Sequence, residues 1–402
     1  MIKKTLLACT IAVSMATMPV SAGTVSDDKV KIGVLTDMAA VYADLSGNGS
    51  VIAAEMAVQD FGGKVLGKPI EVVSADHQNK ADIAVSKARE WIDTGGVDMI
   101  TDLVTSSVAL AVQEVGHEKN RITMVTGAAS SRLTGKSCSP NGFHWAYDTY
   151  SLANGTGTAV VNNGGDSWFF ITADYAFGHS LEGDVSNIVK TNGGTVVGSV
   201  RHPFPSSDFA SFLLQAQASG AKIIGLANAG SDTINAIKQA AEFGIVEGGQ
   251  NLAGLLMFIT DINTLGLKAA QGLYMTTGWY WDRNDETRAW AARFEEKAGK
   301  KPTMVQVGTY SAVLSYLKAV EKAGTDEAGA VAKTLRSMPV NDVFTKGGMV
   351  YANGRMAHDM YLVKVKTPAQ SKGAWDYLNI VRTIPAKQAF KDPAKSGCDL
   401  TN

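Results

Sequence analysis

Two short clusters of hydroxyl-bearing and small residues carry the chemistry this sequence offers: Thr105-Ser106-Ser107, and Thr126-Gly127-Ala128-Ala129-Ser130-Ser131. Each follows an apolar run rich in β-branched residues, 97–104 and 122–125, and the first precedes a helical pattern over 108–119. Hydroxyls and unobstructed backbone N–H groups at a strand end, beside a helix start, hold small anions because the helix dipole favours negative charge there. A carboxylate fits such a place. The plainer role of Ser106 or Ser107 is to cap the helix that begins at Val108.

A matching pair of strand ends follows later in the chain. Asp174-Tyr175-Ala176-Phe177-Gly178 succeeds the run 168–172, and Asn228-Ala229-Gly230 succeeds 222–227. Tyr175 and Phe177 are large apolar surfaces beside a helix start, suited to stacking on a ligand or to packing between lobes. Tyr42, in the loop after the first strand and near Asp44, and Phe258 are further aromatic candidates. Trp279-Tyr280-Trp281 is the densest aromatic cluster; in a strand it would put Trp279 and Trp281 on one face and Tyr280 on the other.

Catalytic chemistry finds little support. The six histidines, His77, His117, His144, His179, His202 and His358, show no metal-ligand spacing, and no nucleophile elbow or phosphate loop occurs. The first strand-to-helix turn reads Thr36-Asp37-Met38-Ala39-Ala40, which is not a dinucleotide glycine fingerprint. Nothing in the spacing of Ser107, His144 and Asp174 makes them a triad. The expectation is a binding protein with no catalytic residue, no metal and no cofactor.

The elements that must position these residues alternate regularly. Strands are expected at 30–36, 70–75, 97–104 and 122–126, with helices at 50–61, 81–93 and 108–119 between them. Gly62-Gly63 ends the first helix. After the irregular aromatic stretch 143–150 the pattern restarts: helix 152–162, strand 168–172, helix 178–191, strand 195–200, helix 209–218, strand 222–227, helix 233–243 and strand 253–258. This predicts an α/β chain of two doubly wound, Rossmann-like lobes, each a parallel sheet covered by helices. Then come a strand-like run at 272–281, helices at 285–298, 305–323 and 327–337, and a hairpin in which 349–351 and 359–366 flank Asn353-Gly354. These pieces are too few for a third domain, so the lobes are expected at 23–145 plus 281–340 and at 146–280 plus 341–402, joined by a multi-strand hinge.

Lys3 and Lys4, the apolar stretch from Leu6 to Met18, and Val20-Ser21-Ala22 before Gly23 form a cleavable signal peptide over 1–22, so the mature chain is expected to be periplasmic. The roughly 380 residues beyond it suffice for two domains of about 100–200 each. A formal net charge of −1 offers no basic stripe for nucleic acid, and no later segment is apolar enough to span a membrane. With Cys9 in the leader, Cys138 and Cys398 remain as an even pair in an oxidising compartment, and a disulfide is expected, tying the C-terminal tail back to the first lobe.

With these features the chain resembles the type I periplasmic binding proteins, in the leucine/isoleucine/valine-binding branch that serves ABC importers. Lys31-Ile32-Gly33-Val34-Leu35-Thr36, Thr105-Ser106-Ser107, Val125-Thr126-Gly127-Ala128-Ala129-Ser130, Asp174-Tyr175-Ala176-Phe177-Gly178 and Gly272-Leu273-Tyr274 carry the resemblance in order and spacing over essentially the whole mature chain. It implies a Venus-flytrap fold, a monomer, a small-molecule ligand held between the lobes and delivery to an inner-membrane ABC permease. It also implies that Ser106 or Ser107 and Ala128-Ala129-Ser130 hold the ligand carboxylate. The acid that pairs with the ligand ammonium in such proteins has no counterpart in Met257-Phe258-Ile259-Thr260, which turns the expectation toward an aromatic or apolar carboxylate beside a branched-chain amino acid. An exported enzyme and a sensory module for a membrane receptor are the alternatives.

Overall fold

The computed structural model describes residues 24–401, so the signal peptide expected over 1–22 lies outside the described residues. The first sheet contains β1 (Val30–Thr36), β2 (Lys64–Val65), β3 (Lys68–Asp76), β4 (Met99–Asp102), β5 (Ile122–Val125) and β6 (Gly142–His144), in the order β2-β3-β1-β4-β5-β6. Apart from the β2–β3 hairpin its pairings are parallel. β1 sits in the middle, nearly all of it buried, which is why its sequence is an unbroken apolar run rather than an alternating one. The helices α1 (Gly47–Phe61), α2 (Ala81–Asp93) and α3 (Ser106–Glu118) return the chain between strands. α1 stops at Gly62, whose φ of +105° suits a residue without a Cβ. Gly33 lets α2 lie close: a Cβ there would come within 2.6 Å of the Trp91 ring.

The second sheet, in the order β10-β9-β7-β8, is wholly parallel and comprises β7 (Ser167–Ala173), β8 (Thr195–His202), β9 (Ile223–Ala227) and β10 (Asn251–Gly254). Its helices are α4 (Thr149–Leu152), α5 (Thr158–Asn162), α6 (Ala176–Thr191), α7 (Ala210–Ala218), α8 (Ser231–Glu242), α9 (Ile259–Leu265) and α10 (Leu267–Ala270). An antiparallel sheet of β11 (Tyr274–Thr277), β14 (Met360–Val365) and β15 (Leu378–Ile384), in the order β11-β14-β15, completes this half. Between β11 and β14 the chain visits the first half again. There α11 (Asp285–Ala298) and α12 (Met304–Ala323) pack on α1, α13 (Ala328–Ser337) packs on α12, and β12 (Met349–Val350) pairs with β13 (Met356–Ala357). A short α14 (Ala386–Ala389) opens the tail, whose Cys398 is bonded to Cys138.

Two doubly wound lobes are therefore present, with several departures in detail. The expected strand 97–104 is only Met99–Asp102, because Asp102 and Leu103 take left-handed φ values of +73° and +54° that no strand continues through. The run 253–258 keeps only its first residues in β10, and 272–281 is a strand only over β11. Trp279 and Trp281 therefore do not share a strand face. Helix 152–162 starts earlier, at Thr149, and carries a π turn at Ala153–Gly157, where Gly155 lies against Thr276 with no room for a Cβ. The hairpin at Asn353-Gly354 joins β12 to β13 rather than to 359–366, and of the two turn residues only Gly354 has positive φ. That hairpin borders the first sheet through a bridge between His144 and Arg355, so the segment 341–357, expected with the second lobe, lies on the first. Lobe I and lobe II are thus linked after β6, after β11 and again before β14.

Candidate functional site

The C-terminal ends of the strands in both sheets face one cleft, the usual ligand position in open parallel sheets. Lobe I lines it with Tyr42 and Leu45 from the loop before α1, Val104 and Ser106 after β4, Gly127 and Ala129 after β5, and Tyr147 in the first crossing. Lobe II contributes Tyr175 and Phe177 at the start of α6, Ala229 before α8, and Leu256 and Phe258 after β10. The space between the lobes is narrow, with an atom-free volume of about 220 Å³ that includes open solvent at its mouth. The lobes are closed on one another.

Local backbone geometry produces these positions. The left-handed pair Asp102 and Leu103 bends the chain so that Val104 and Ser106 turn toward the cleft. Gly127 admits that bend, since a Cβ on it would lie 2.5 Å from Asp102 Oδ1 and 2.6 Å from Val104 Cα. Ser106 begins α3, and its hydroxyl accepts a hydrogen bond from the Ser130 amide at 3.2 Å, which joins the two hydroxyl clusters into one wall. Tyr147 donates its hydroxyl to the Gly127 carbonyl at 2.5 Å. Across the cleft the Tyr42 and Tyr175 hydroxyls are 2.5 Å apart. Gly230, at φ +60°, packs against the opposite lobe: a Cβ there would lie 2.4 Å from the Val41 carbonyl oxygen.

No Lys or Arg lines the cavity, so an anion would be met by hydroxyls and by the amides of α3, α6 and α8, whose starts surround it. Asp102 is fully buried behind Gly127, bonded by Ser46 through one oxygen while the other has no partner, and burial pushes its carboxyl up to about 6. Asp232, in the first turn of α8, accepts from the Ser206 amide at 3.1 Å; its second oxygen has no hydrogen bond and lies 4.0 Å from His202 Nδ1, and burial pushes this carboxyl up to about 7. Asp261 is likewise raised by burial to about 7 while it accepts from the Phe258 amide at 2.8 Å. Burial also pushes the Tyr42 and Tyr147 hydroxyls well above their usual range.

Of the residues expected from sequence, the fold brings Tyr42, Ser106, Ala129, Tyr175, Phe177 and Phe258 together around the cavity. Thr105 donates its hydroxyl to Asn79 Oδ1, Ser107 is half-buried one position further along α3, and Ala128 offers its carbonyl to His144 Nε2 at 2.8 Å. Ser130 acts through its amide on Ser106. Asp174 is exposed and paired with His179 at 2.7 Å, and Asn228 is buried between His202 and Thr233. Trp279 is core: it packs edge-on to Trp290, and its indole N–H donates to the Val343 carbonyl at 2.9 Å. Trp281 donates to the Trp375 carbonyl at 2.9 Å and carries Lys301 over its ring, away from the cavity. Sequence reasoning missed Leu45, Val104, Tyr147 and Leu256, and also Asp232, although an acid two residues past Gly230 was a readable signal.

Among the described residues no cluster of His, Cys, Asp or Glu could hold a metal ion, and no helix is long and apolar enough to cross a membrane. Comparison with known proteins agrees with the architecture. The family profile described as periplasmic binding protein matches residues 29–374. A crystal structure of a periplasmic binding protein from Burkholderia mallei superposes with a TM-score of 0.92 at 52% identity, over 93% of this chain and 100% of that one. A branched-chain amino acid ABC transporter periplasmic ligand-binding protein from Burkholderia xenovorans gives 0.83 at 42% identity, over 93% and 100%. A solute-binding protein of an ABC transporter from R. palustris, in complex with 4-hydroxybenzoate, shares the fold with a TM-score of 0.81 at 22% identity, over 89% and 98%.

Proposed function

Since the chain belongs to the periplasmic binding protein family, we propose that it captures a small apolar or aromatic α-amino acid in the interlobe cleft and hands it to an ABC permease of the inner membrane. The observation that carries this reading is the hydroxyl-and-amide wall at Ser106 in the aromatic cavity, together with the buried carboxyl of Asp232, which lies outside the cavity lining but close enough to push up the hydroxyls of Tyr42 and Tyr175 that line it. A carboxylate meets the first and an ammonium the second, so the ligand carries both charges and the cleft needs no Lys or Arg. Asp232 supplies the acid that Met257-Phe258-Ile259-Thr260 lacks, since the nearby Asp261 is engaged by the Phe258 amide. Tyr42, Tyr147, Tyr175, Phe177 and Phe258 then surround an apolar side chain. The Burkholderia xenovorans relative, a branched-chain amino acid ABC transporter periplasmic ligand-binding protein, supports the same class.

Hinge rotation about the three crossings opens and closes the cleft, and closure removes water from the ligand. A plain aromatic acid is the second reading, favoured by the ring-rich lining and by the 4-hydroxybenzoate held by the R. palustris protein. A thermal-shift screen separates the two: L-leucine and L-phenylalanine are expected to raise the melting temperature, and benzoate and 4-hydroxybenzoate not. Stabilisation by the benzoates alone replaces the amino-acid reading. Chemical turnover of a bound compound by the purified protein would overturn both in favour of an exported enzyme.

A further inference from the structure

Phe204 lines no part of the cavity, yet it touches both tyrosines that meet across it. Its ring stacks on Tyr175 at 4.3 Å between centroids and 23° between planes, and on Tyr42 at 5.5 Å and 25°. Tyr175 and Phe204 belong to lobe II, Tyr42 to lobe I. The short segment that presents Phe204, between β8 and α7, is fastened on the side of α8: the Ser206 amide donates to Asp232 Oδ1 at 3.1 Å and the Phe209 amide to Gln239 Oε1 at 2.7 Å. Phe209 is itself fully buried against the His202 ring at 4.8 Å. Phe204 is therefore held in place by the lobe it belongs to and contacts the opposite lobe only through Tyr42.

We propose that Phe204 is a positioning residue for solute capture, holding Tyr42 and Tyr175 in the closed-cleft geometry and keeping that geometry populated before any ligand arrives. Parallel ring contacts at these distances are favourable beyond the area they bury, and of the two only the Tyr42–Phe204 stack crosses the cleft and exists when the lobes meet, while the Tyr175–Phe204 stack keeps the ring in place on lobe II. The Tyr42–Tyr175 hydrogen bond alone would be weak, since in the open form both hydroxyls bond to water instead. Asp232 takes part through the Ser206 amide, so the residue placed opposite a ligand ammonium also fixes the segment that carries the ring. The proposal rests on the cleft being the solute site, and not on which solute it takes.

The test needs no ligand. Spin labels on Asp82→Cys and Leu214→Cys, both exposed and on different lobes, report the interlobe distance in the chain from Gly23 onward, whose Cys138 and Cys398 are occupied by their disulfide. The unliganded wild type is expected to show a closed population at the distance of this structure. Phe204→Ala is expected to lower the closed-to-open ratio by about threefold to tenfold, and Phe204→Tyr to keep it. Should the alanine variant fail to fold, Phe204→Leu, which keeps bulk without the flat ring, is expected to show the same fall. An unchanged ratio in the alanine or leucine variant, or a wild type with no closed population, overturns the proposal. A ligand screen without hits would instead overturn the amino-acid reading and leave this result standing.

Discussion

The Tyr42 and Tyr175 hydroxyls, one from each lobe, lie 2.5 Å apart and share a single hydrogen bond across the cleft. Burial pushes both pKa values upward, so both hydroxyls stay neutral and the bond persists across the physiological pH range. Tyr42→Phe and Tyr175→Phe are each expected to weaken ligand binding by about 0.5–1.5 kcal/mol, roughly 2- to 12-fold in Kd. Because each removes the same bond, the double variant should bind no worse than the weaker single one. Calorimetry on all four proteins checks this, and fully additive losses would mean the two hydroxyls act separately.

Gly230 lies directly against the opposite lobe. Its φ of +60° and the Val41 carbonyl oxygen, 2.4 Å from where a Cβ would stand, leave no place for a side chain in the closed form. Gly230→Ala is expected to reduce affinity at least about tenfold, beyond the modest loss of melting temperature that strained backbone alone would cause. Affinity equal to wild type would show that closure tolerates a wider gap.

Ser106, and not its neighbour, presents a hydroxyl to the cavity. Ser106→Ala should weaken binding by about 1–3 kcal/mol by removing a desolvated partner of the ligand carboxylate, while Ser107→Ala should stay within about twofold. The reverse order in titration experiments would place the anion further along α3.

Asp102 predicts a pH signature. Its folded pKa of about 6 lies above the ordinary carboxylate value of 3.8, so the folded state binds the proton more tightly than the unfolded chain does. The stability this residue lends is present at low pH and falls as pH rises between those two values, by up to about 3 kcal/mol at roughly 1.4 kcal/mol per unit. Asp102→Asn carries no charge, and asparagine tolerates the left-handed backbone found there. The variant should melt above wild type at pH 8 and close to it at pH 4. A lower melting temperature at pH 8 would show that the carboxylate is needed in ionised form.

Much of the fold was legible because buried parallel strands and amphipathic helices leave strong periodic patterns: β1 and α1 occupy nearly the residues that their sequence marks. The strand expected through Val104 was not, because positive φ at Asp102 and Leu103 is imposed by tertiary surroundings and has no glycine to announce it. The cleft shows the same division. Ser106, Tyr175 and Phe177 follow from strand ends and helix starts, which are local features. Tyr147 and Leu256 reach the cavity only because separate loops converge, and no window of sequence contains that convergence. Trp279 misled for a related reason: an aromatic cluster at a crossing serves equally well as core, and contact with Trp290 made it so.

The Cys138–Cys398 disulfide joins positions 260 residues apart, and everything that builds lobe II lies between them. Covalently, that half of the molecule is a closed ring. A single proteolytic nick anywhere inside the ring, for instance in the loop after α8 where Val246 is exposed, leaves two fragments that remain one molecule until the bond is reduced. Such a nicked protein runs as an intact chain on a non-reducing gel and as two pieces after reduction.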